Sequence, residues 1–273
     1  MLNAFTIDLE EWFCSHNLQD VVQPKDWEQL ETRVGESTHY LLDLLESFNV
    51  TATFFVLGWI AEKYPDLVAE IAAKGHEIAS HGYGHQLLTH MTPENFRDDL
   101  RRSVETIESA TGQVVQGYRA PAFSVTQRTQ WSITILSELG FKYDSSVYPL
   151  SWHPDYGNAQ VALTPFLYDN QLLEIPMSCV TVGRWRVPCS GGAYFRLLPY
   201  AIYRRLIHRL HAQRRSLIFY LHPWEVDSDL PRLPTKPLNK FRHYTALRTV
   251  KPKLTQLLTE FTFTSLSKLI TYG

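Results

Sequence analysis

From its first residues the chain alternates. Leu2, Ala4, Thr6 and Asp8 fall on one side of an extended segment, and Asn3, Phe5, Ile7 and Leu9 on the other. This predicts a first strand with small or polar side chains on one face and apolar ones turned toward helices. Helical spacing follows over about 36–48, where Tyr40, Leu41, Leu44, Leu45 and Phe48 recur. Residues 51–56 read as a strand, and 58–73 as helical, with Pro65 in an early turn or at a break. Residues 77–80 form a short buried strand. Thr92 as N-cap and Pro93 at the first helical position start a helix that runs to about 110 and stops near Gly112.

The pattern then repeats. Short strands are predicted over 116–119, 141–144 and 172–176, with a helix over 126–139 closed by Gly140. Residues from about 145 to 170 are rich in Pro, Trp, Tyr and Gly and carry no period. A basic amphipathic helix over 198–213 precedes a buried strand over 216–222. A helix over 246–259 and a strand-helix pair close the chain. Strands alternate with helices at roughly 30- to 40-residue spacing, which predicts a parallel α/β architecture. No internal repeat or linker interrupts it, so one domain over 1–273 is expected.

Composition changes this picture little. The chain has 273 residues and a formal net charge of −2, which predicts no attraction to nucleic acid or membrane. Arg204-Arg205 and Arg214-Arg215 read as solvated helix faces rather than a polyanion site. Met1–Phe5 runs straight into a strand without a basic start and a long apolar run, and no stretch is long enough to span a bilayer. The expectation is a cytoplasmic protein. Cys14, Cys179 and Cys189 are an odd set without a C-x-x-C, which argues against a disulfide framework.

The candidate chemistry gathers at strand ends. His81 follows the 77–80 strand, and His85 comes four residues later across Gly82-Tyr83-Gly84. If that loop coils into a helical turn, the two imidazoles share a face and can serve one metal ion; otherwise they are two surface histidines. Asp8 and Glu10 share a face at the end of the first strand. They suit acid/base or metal chemistry, or form a solvated acidic loop. Arg119, Asp144 and His222 also stand at or just past predicted strand ends. In a (β/α) barrel such ends converge on one face, where the active site lies.

These residues carry a family resemblance over about 5–225. Thr6-Ile7-Asp8-Leu9-Glu10, His81 to His85, Arg119-Ala120-Pro121, Tyr143-Asp144-Ser145-Ser146 and Leu221-His222-Pro223 resemble, in order, the five motifs of the polysaccharide deacetylases of the NodB-homology group, carbohydrate esterase family 4. Gly191 to Arg196 and Phe241 to Tyr244 are similar to the subgroup associated with exosortase and exopolysaccharide loci. Two departures stand out. Leu9 occupies the place of the usual second aspartate, and Glu10, on the Asp8 face, would replace it. Ala122 intervenes between Pro121 and the aromatic Phe123.

The resemblance implies a single-domain, distorted (β/α) barrel of the NodB type, with a C-terminal extension over about 226–273. It implies hydrolysis of N-acetyl groups on hexosamine units of a glycan, in exopolysaccharide biosynthesis. A divalent cation, Zn²⁺ by preference, would sit on Glu10, His81 and His85. Asp8 would be the base, Arg119 its orienting partner and His222 the proton donor to the amine. Asp144 would pair with His222 or with Arg119, and a backbone N–H near Ala122 or Phe123 would stabilise the oxyanion. Phe123, Tyr148 and Trp224 are the candidate substrate contacts, with Trp152 beside them; each is open to the alternative of plain packing. Glu225 is a candidate polar contact only. Two other readings remain on the same fold: a metal-independent hydrolase of cyclic amides or ureides, and a non-catalytic glycan-binding relative.

Overall fold

The computed structural model describes residues 1–150, 157–158 and 160–272; Trp152 lies outside them. The strands are β1 (Leu2–Leu9), β2 (Thr53–Val56), β3 (Glu77–Ser80), β4 (Gly117–Tyr118), β5 (Tyr143–Asp144), β6 (Phe166–Leu167), β7 (Leu173–Glu174), β8 (Cys179–Val182), β9 (Trp185–Pro188), β10 (Ile218–Leu221) and β11 (Thr262–Thr264). The helices are α1 (Val34–Ser47), α2 (Gly58–Lys63), α3 (Pro65–Ala73), α4 (Pro93–Thr111), α5 (Trp131–Glu138), α6 (Gly192–Leu197), α7 (Tyr200–Ala212), α8 (Pro237–Tyr244), α9 (Val250–Glu260) and α10 (Leu266–Tyr272).

The main sheet runs β10-β1-β2-β3-β4-β5-β7-β6, with β11 added beside the start of β1. Every pairing is parallel except β6 with β7. The distorted barrel is a curled sheet whose end strands, β10 and β6, do not pair. The β8-β9 hairpin forms a separate ribbon. It abuts β10 through Ser178 Oγ, which accepts from the Ile218 N–H at 2.8 Å, and Ser190 O, which accepts from the Tyr220 N–H at 3.0 Å.

The alternation in β1 sorts its side chains as its pattern predicts. Phe5, Ile7 and Leu9 are fully buried in the large outer cluster under the helices. Ala4 belongs to a smaller inner cluster with Phe55, Ala79, Phe123 and Tyr220. Burying one such Phe, Ile or Leu is worth roughly 1.5–3 kcal/mol, so a one-residue slip of β1 would be heavily disfavoured.

Local chemistry sets the ends. Thr92 Oγ1 accepts the Asn95 N–H at 3.2 Å, and α4 stops at Gly112 in the left-handed region at φ 67°. The helical stretch 58–73 divides at Tyr64, since Pro65 offers no N–H and disfavours α geometry before it. The hydrophobic periodicity does not mark the hairpin, α6 or α8. Gly191 shows why the chain can enter α6 at that point: at φ 153° a Cβ there would lie 1.9 Å from Tyr220 O.

Candidate active site

Parallel strands bring their C-terminal ends to one edge of the sheet. Asp8 is the penultimate residue of β1, and Glu10, His81, Arg119 and His222 each stand one residue past the end of a strand. All five are at least four-fifths buried except for the edge of His222. Asp8, Glu10, His81, His85 and His222 line one cleft of about 330 Å³, with Ala122, Phe123, Tyr194 and Trp224 in its walls.

Arg119 ties two of these groups together. Its Nη1 donates to Asp8 Oδ1 at 2.7 Å and to Thr6 Oγ1 at 2.8 Å. Its Nε and Nη2 donate to Ser145 O and Oγ, each at 3.1 Å, and its guanidinium lies over the Phe55 ring. The backbone carbonyl of the same residue contacts His81 Nδ1 at 2.8 Å. A carbonyl only accepts, so Nδ1 carries the proton and Nε2 keeps its lone pair. Burial pulls the His81 pKa down to about 4, so the ring is neutral in neutral solution.

Glu10 and His85 complete a triad with His81, their ligand atoms all within 4.8 Å of one another. Glu10 Oε2 lies 2.7 Å from His85 Nε2 yet forms no hydrogen bond of acceptable angle, and His85 Nδ1 also has no partner. Two buried polar atoms that approach without satisfying each other fit a site for a third partner, and one carboxylate with two imidazoles is a donor set for a divalent cation. Burial alone would raise the Glu10 pKa, but His85 and then His222 outweigh it and bring it down to about 2.

The loop does not coil into a helical turn, contrary to the expectation for His81 and His85. Gly82 at φ 74° and His85 at φ 52° reverse the backbone instead. Asp99, reaching from α4, accepts the N–H groups of Tyr83 at 2.7 Å and Gly84 at 3.1 Å and so fixes the bend. The imidazole centroids end 5.4 Å apart. Nothing in the sequence around Asp99 sets it apart from other acidic residues on that helix.

His222 is held by a partner that sequence reading underrated. Its Nδ1 donates to Glu225 Oε1 at 2.9 Å, and Glu225 Oε2 ion-pairs with Arg196 Nε at 2.7 Å. His222 Nε2 then faces Glu10 Oε1 at 3.7 Å and Asp8 Oδ2 at 4.0 Å. Burial lowers the pKa of this ring, but Glu10, Glu225 and Asp8 together push it up to about 9. Burial raises the Glu225 carboxyl, and Arg196 and His222 more than reverse that. Arg196 is buried on α6 and also donates to the carbonyls of Arg242, His243 and Thr245.

Three expected assignments change. Asp144 pairs with neither His222 nor Arg119. It accepts from the Ser146 hydroxyl and sits opposite Glu174 in the β5-β7 register, where burial raises both carboxyls. Tyr148 is fully buried against Phe123, which removes it from the cleft wall. Trp224 does line the cleft but offers no open face. It is stacked between His222 and His243, at 5.1 and 4.3 Å, and its indole N–H donates to Glu10 Oε1 at 3.2 Å. Phe123 does reach the cleft, edge-on to Tyr220.

A family profile described as polysaccharide deacetylase matches residues 29–143, and one described as a domain of unknown function, DUF3473, matches 145–271. A peptidoglycan deacetylase of Helicobacter pylori is 34% identical over 42% of this chain and 39% of its own length. A peptidoglycan-N-acetylglucosamine deacetylase of Bacillus cereus is 30% identical over 40% and 44%. A chitooligosaccharide deacetylase of Rhizobium leguminosarum bv. trifolii is 32% identical over 43% and 51%. The chain thus spans two-fifths to half the length of these curated relatives. A Mycobacterium smegmatis structure described as a polysaccharide deacetylase candidate has the same fold, with a TM-score of 0.63 at 24% identity over 99% of this chain and 89% of that one. A family 4 carbohydrate esterase pseudoenzyme from Bacillus anthracis aligns at 0.51 and 16% identity over 98% and 64%. Residues 29–143 are thus similar to the polysaccharide deacetylases, and the whole chain shares the fold of the solved structures named.

Proposed function

We propose that this protein hydrolyses the N-acetyl group of N-acetylhexosamine units in a glycan, in exopolysaccharide biosynthesis, with a divalent cation held by Glu10, His81 and His85. The observation that carries this reading is the meeting, in one cleft, of that triad with an Arg-held carboxylate and a doubly anchored imidazole. When bound, the cation supplies Lewis acidity to the substrate carbonyl, and Zn²⁺ suits the donor set.

The chain's own residues divide the proton work. Asp8, its Oδ1 fixed by Arg119, turns Oδ2 toward the cleft and takes a proton from the attacking water. His222, with Nδ1 locked on Glu225, presents Nε2 to the leaving nitrogen and protonates it. Its raised pKa keeps both ring protons in neutral solution. The Phe123 N–H is already given to Ala120 O at 3.0 Å, so Ala122 is the backbone donor left for the oxyanion. Ala122 and Phe123 both sit at positive φ, near 50° and 54°. This costs of order 1–3 kcal/mol per residue and suits a shaped site.

The test is acetate release from N-acetylglucosamine oligomers by protein purified without chelator, with metal content measured alongside. The expected result is about one divalent ion per chain, with acetate release abolished by chelator and by His81→Ala. Chelator-insensitive turnover of a cyclic amide would replace this reading with the metal-independent one. A folded protein that binds glycan oligomers without releasing acetate would make it a non-catalytic relative.

A further inference from the structure

The small net charge hides a steep division along the chain. Residues 1–174 carry 24 Asp or Glu and 10 Lys or Arg, whereas residues 175–273 carry 4 and 16. From 230 to 259 there are seven Lys or Arg and no acidic residue. That stretch contains α8, which stands at the mouth of the cleft.

Three large apolar side chains are exposed together at this mouth. Leu238 is 58% exposed, Phe241 51% and Leu197, at the end of α6, 39%. All three line the same cleft as Asp8 and His222. Lys236 and Lys240 are exposed beside them, and Arg242 shares the cleft wall. Among the described residues none of these three cations takes part in an ion pair.

The segment is also held in place. Thr235 Oγ1 donates to Asp20 Oδ1 at 2.7 Å, the Lys236 N–H donates to Asp20 Oδ2 at 3.4 Å, and Arg196 grips the carbonyls at the far end of α8. Pro231, Pro234 and Pro237 stiffen the approach. A fixed platform loses little conformational entropy on docking.

We propose that α8, with the end of α6, docks on an anionic lipid surface, so that the mouth of the cleft meets a membrane and the glycan it takes is attached to a lipid. Exposed Leu and Phe flanked by Lys and Arg suit the boundary between headgroups and acyl chains. A soluble polyanionic glycan would use the cations and leave Leu238 and Phe241 in water. No described helix is long and apolar enough to cross a bilayer, and the proposed contact is through the exposed faces of α8 and α6. The proposal extends the deacetylase reading, but vesicle binding is measured without turnover, so either can fail alone.

The test is co-sedimentation of the full chain with phosphatidylcholine vesicles, with and without a third of phosphatidylglycerol, and in low and high salt. The wild-type protein pellets with the anionic vesicles in low salt and not with the neutral ones. Lys236→Glu with Lys240→Glu, and separately Leu238→Ser with Phe241→Ser, each weaken binding by about tenfold or more while circular dichroism stays unchanged. A wild-type protein that stays in the supernatant with anionic vesicles overturns the proposal without reference to any variant. Binding to anionic vesicles and to dextran sulfate that depends on the lysines but not on Leu238 and Phe241 also overturns it. That outcome assigns the surface to a soluble polyanion.

Discussion

The chain up to Glu174 and the chain after it contribute in different ways to the same cleft. The first part supplies Asp8, Glu10, His81 and Arg119, each placed by a regular strand-helix repeat, and His85 from the loop that follows β3. The second supplies His222 from one more strand, and then Glu225, Arg196, Trp224 and His243, which reach the site from short turns and helices and mostly brace other side chains. The first part reads as a row of strand ends. The second is a scaffold whose members are meaningful only through their partners. A site can therefore have reactive atoms that are simple to place and a support that is not.

Removing a reactive group from the first part should cost most. Asp8→Asn keeps the Arg119 contact and the shape, so kcat/KM should fall by about 10²–10⁴-fold while metal content is retained. Loss of the ion from the variant, with turnover restored by excess metal, would move Asp8 from base to ligand.

Breaking the second part at Glu225 should cost less. Glu225→Gln leaves an acceptor for His222 Nδ1 but removes the charge that holds the ring. We expect kcat to drop by less than the full loss of an acid group, about tenfold, with KM nearly unchanged. A loss as large as that of Asp8→Asn would make the carboxylate a direct participant.

Trp224→Phe sharpens the comparison further, since it keeps an aromatic ring in the stack and deletes the N–H to Glu10 Oε1 together with part of the indole's packing. Outer contacts of this kind typically change metal affinity by about 10- to 100-fold. The lower end is expected here, and isothermal titration with Zn²⁺ reads it. Unaltered affinity would reduce the indole to packing.

The smallest effect lies outside the cleft. His76 precedes β3, and its Nδ1 accepts the Ala52 N–H at 3.1 Å. Burial, helped by Lys74 and Lys268, lowers its pKa to about 4. The unfolded chain binds this proton first, so stability is full above pH about 6.5 and is lost as pH falls toward 4. His81, also lowered to about 4, titrates in the same window. His76→Asn preserves an acceptor and should flatten this acid limb in urea titrations without abolishing it. Turnover should be unchanged; an unchanged limb would place the proton uptake elsewhere.

Much of this was legible in the sequence. β1, β3 and the caps of α4 follow from periodicity, Thr92-Pro93 and Gly112, all of which act locally. The strand-end row and the Asp8-Arg119 pair follow from topology plus motif order. What failed was whatever depends on orientation. Trp224 two residues after His222 looks the same in sequence whether it shows a face to sugar or an edge to Glu10. Asp144 could have reached either of two partners, and the register turned it to Glu174 instead. The charge division escaped because a sum of −2 conceals where the signs lie.

Arg119 holds Asp8 with its side chain and His81 with its main chain. These two grips have different inheritance. A guanidinium disappears with a single codon change, but a carbonyl is present in every residue that could replace it. Drift at position 119 would thus erase the hold on Asp8 and leave the imidazole aimed as before. The side-chain half of the hold can be lost while the main-chain half keeps the shape of the neighbouring strand end.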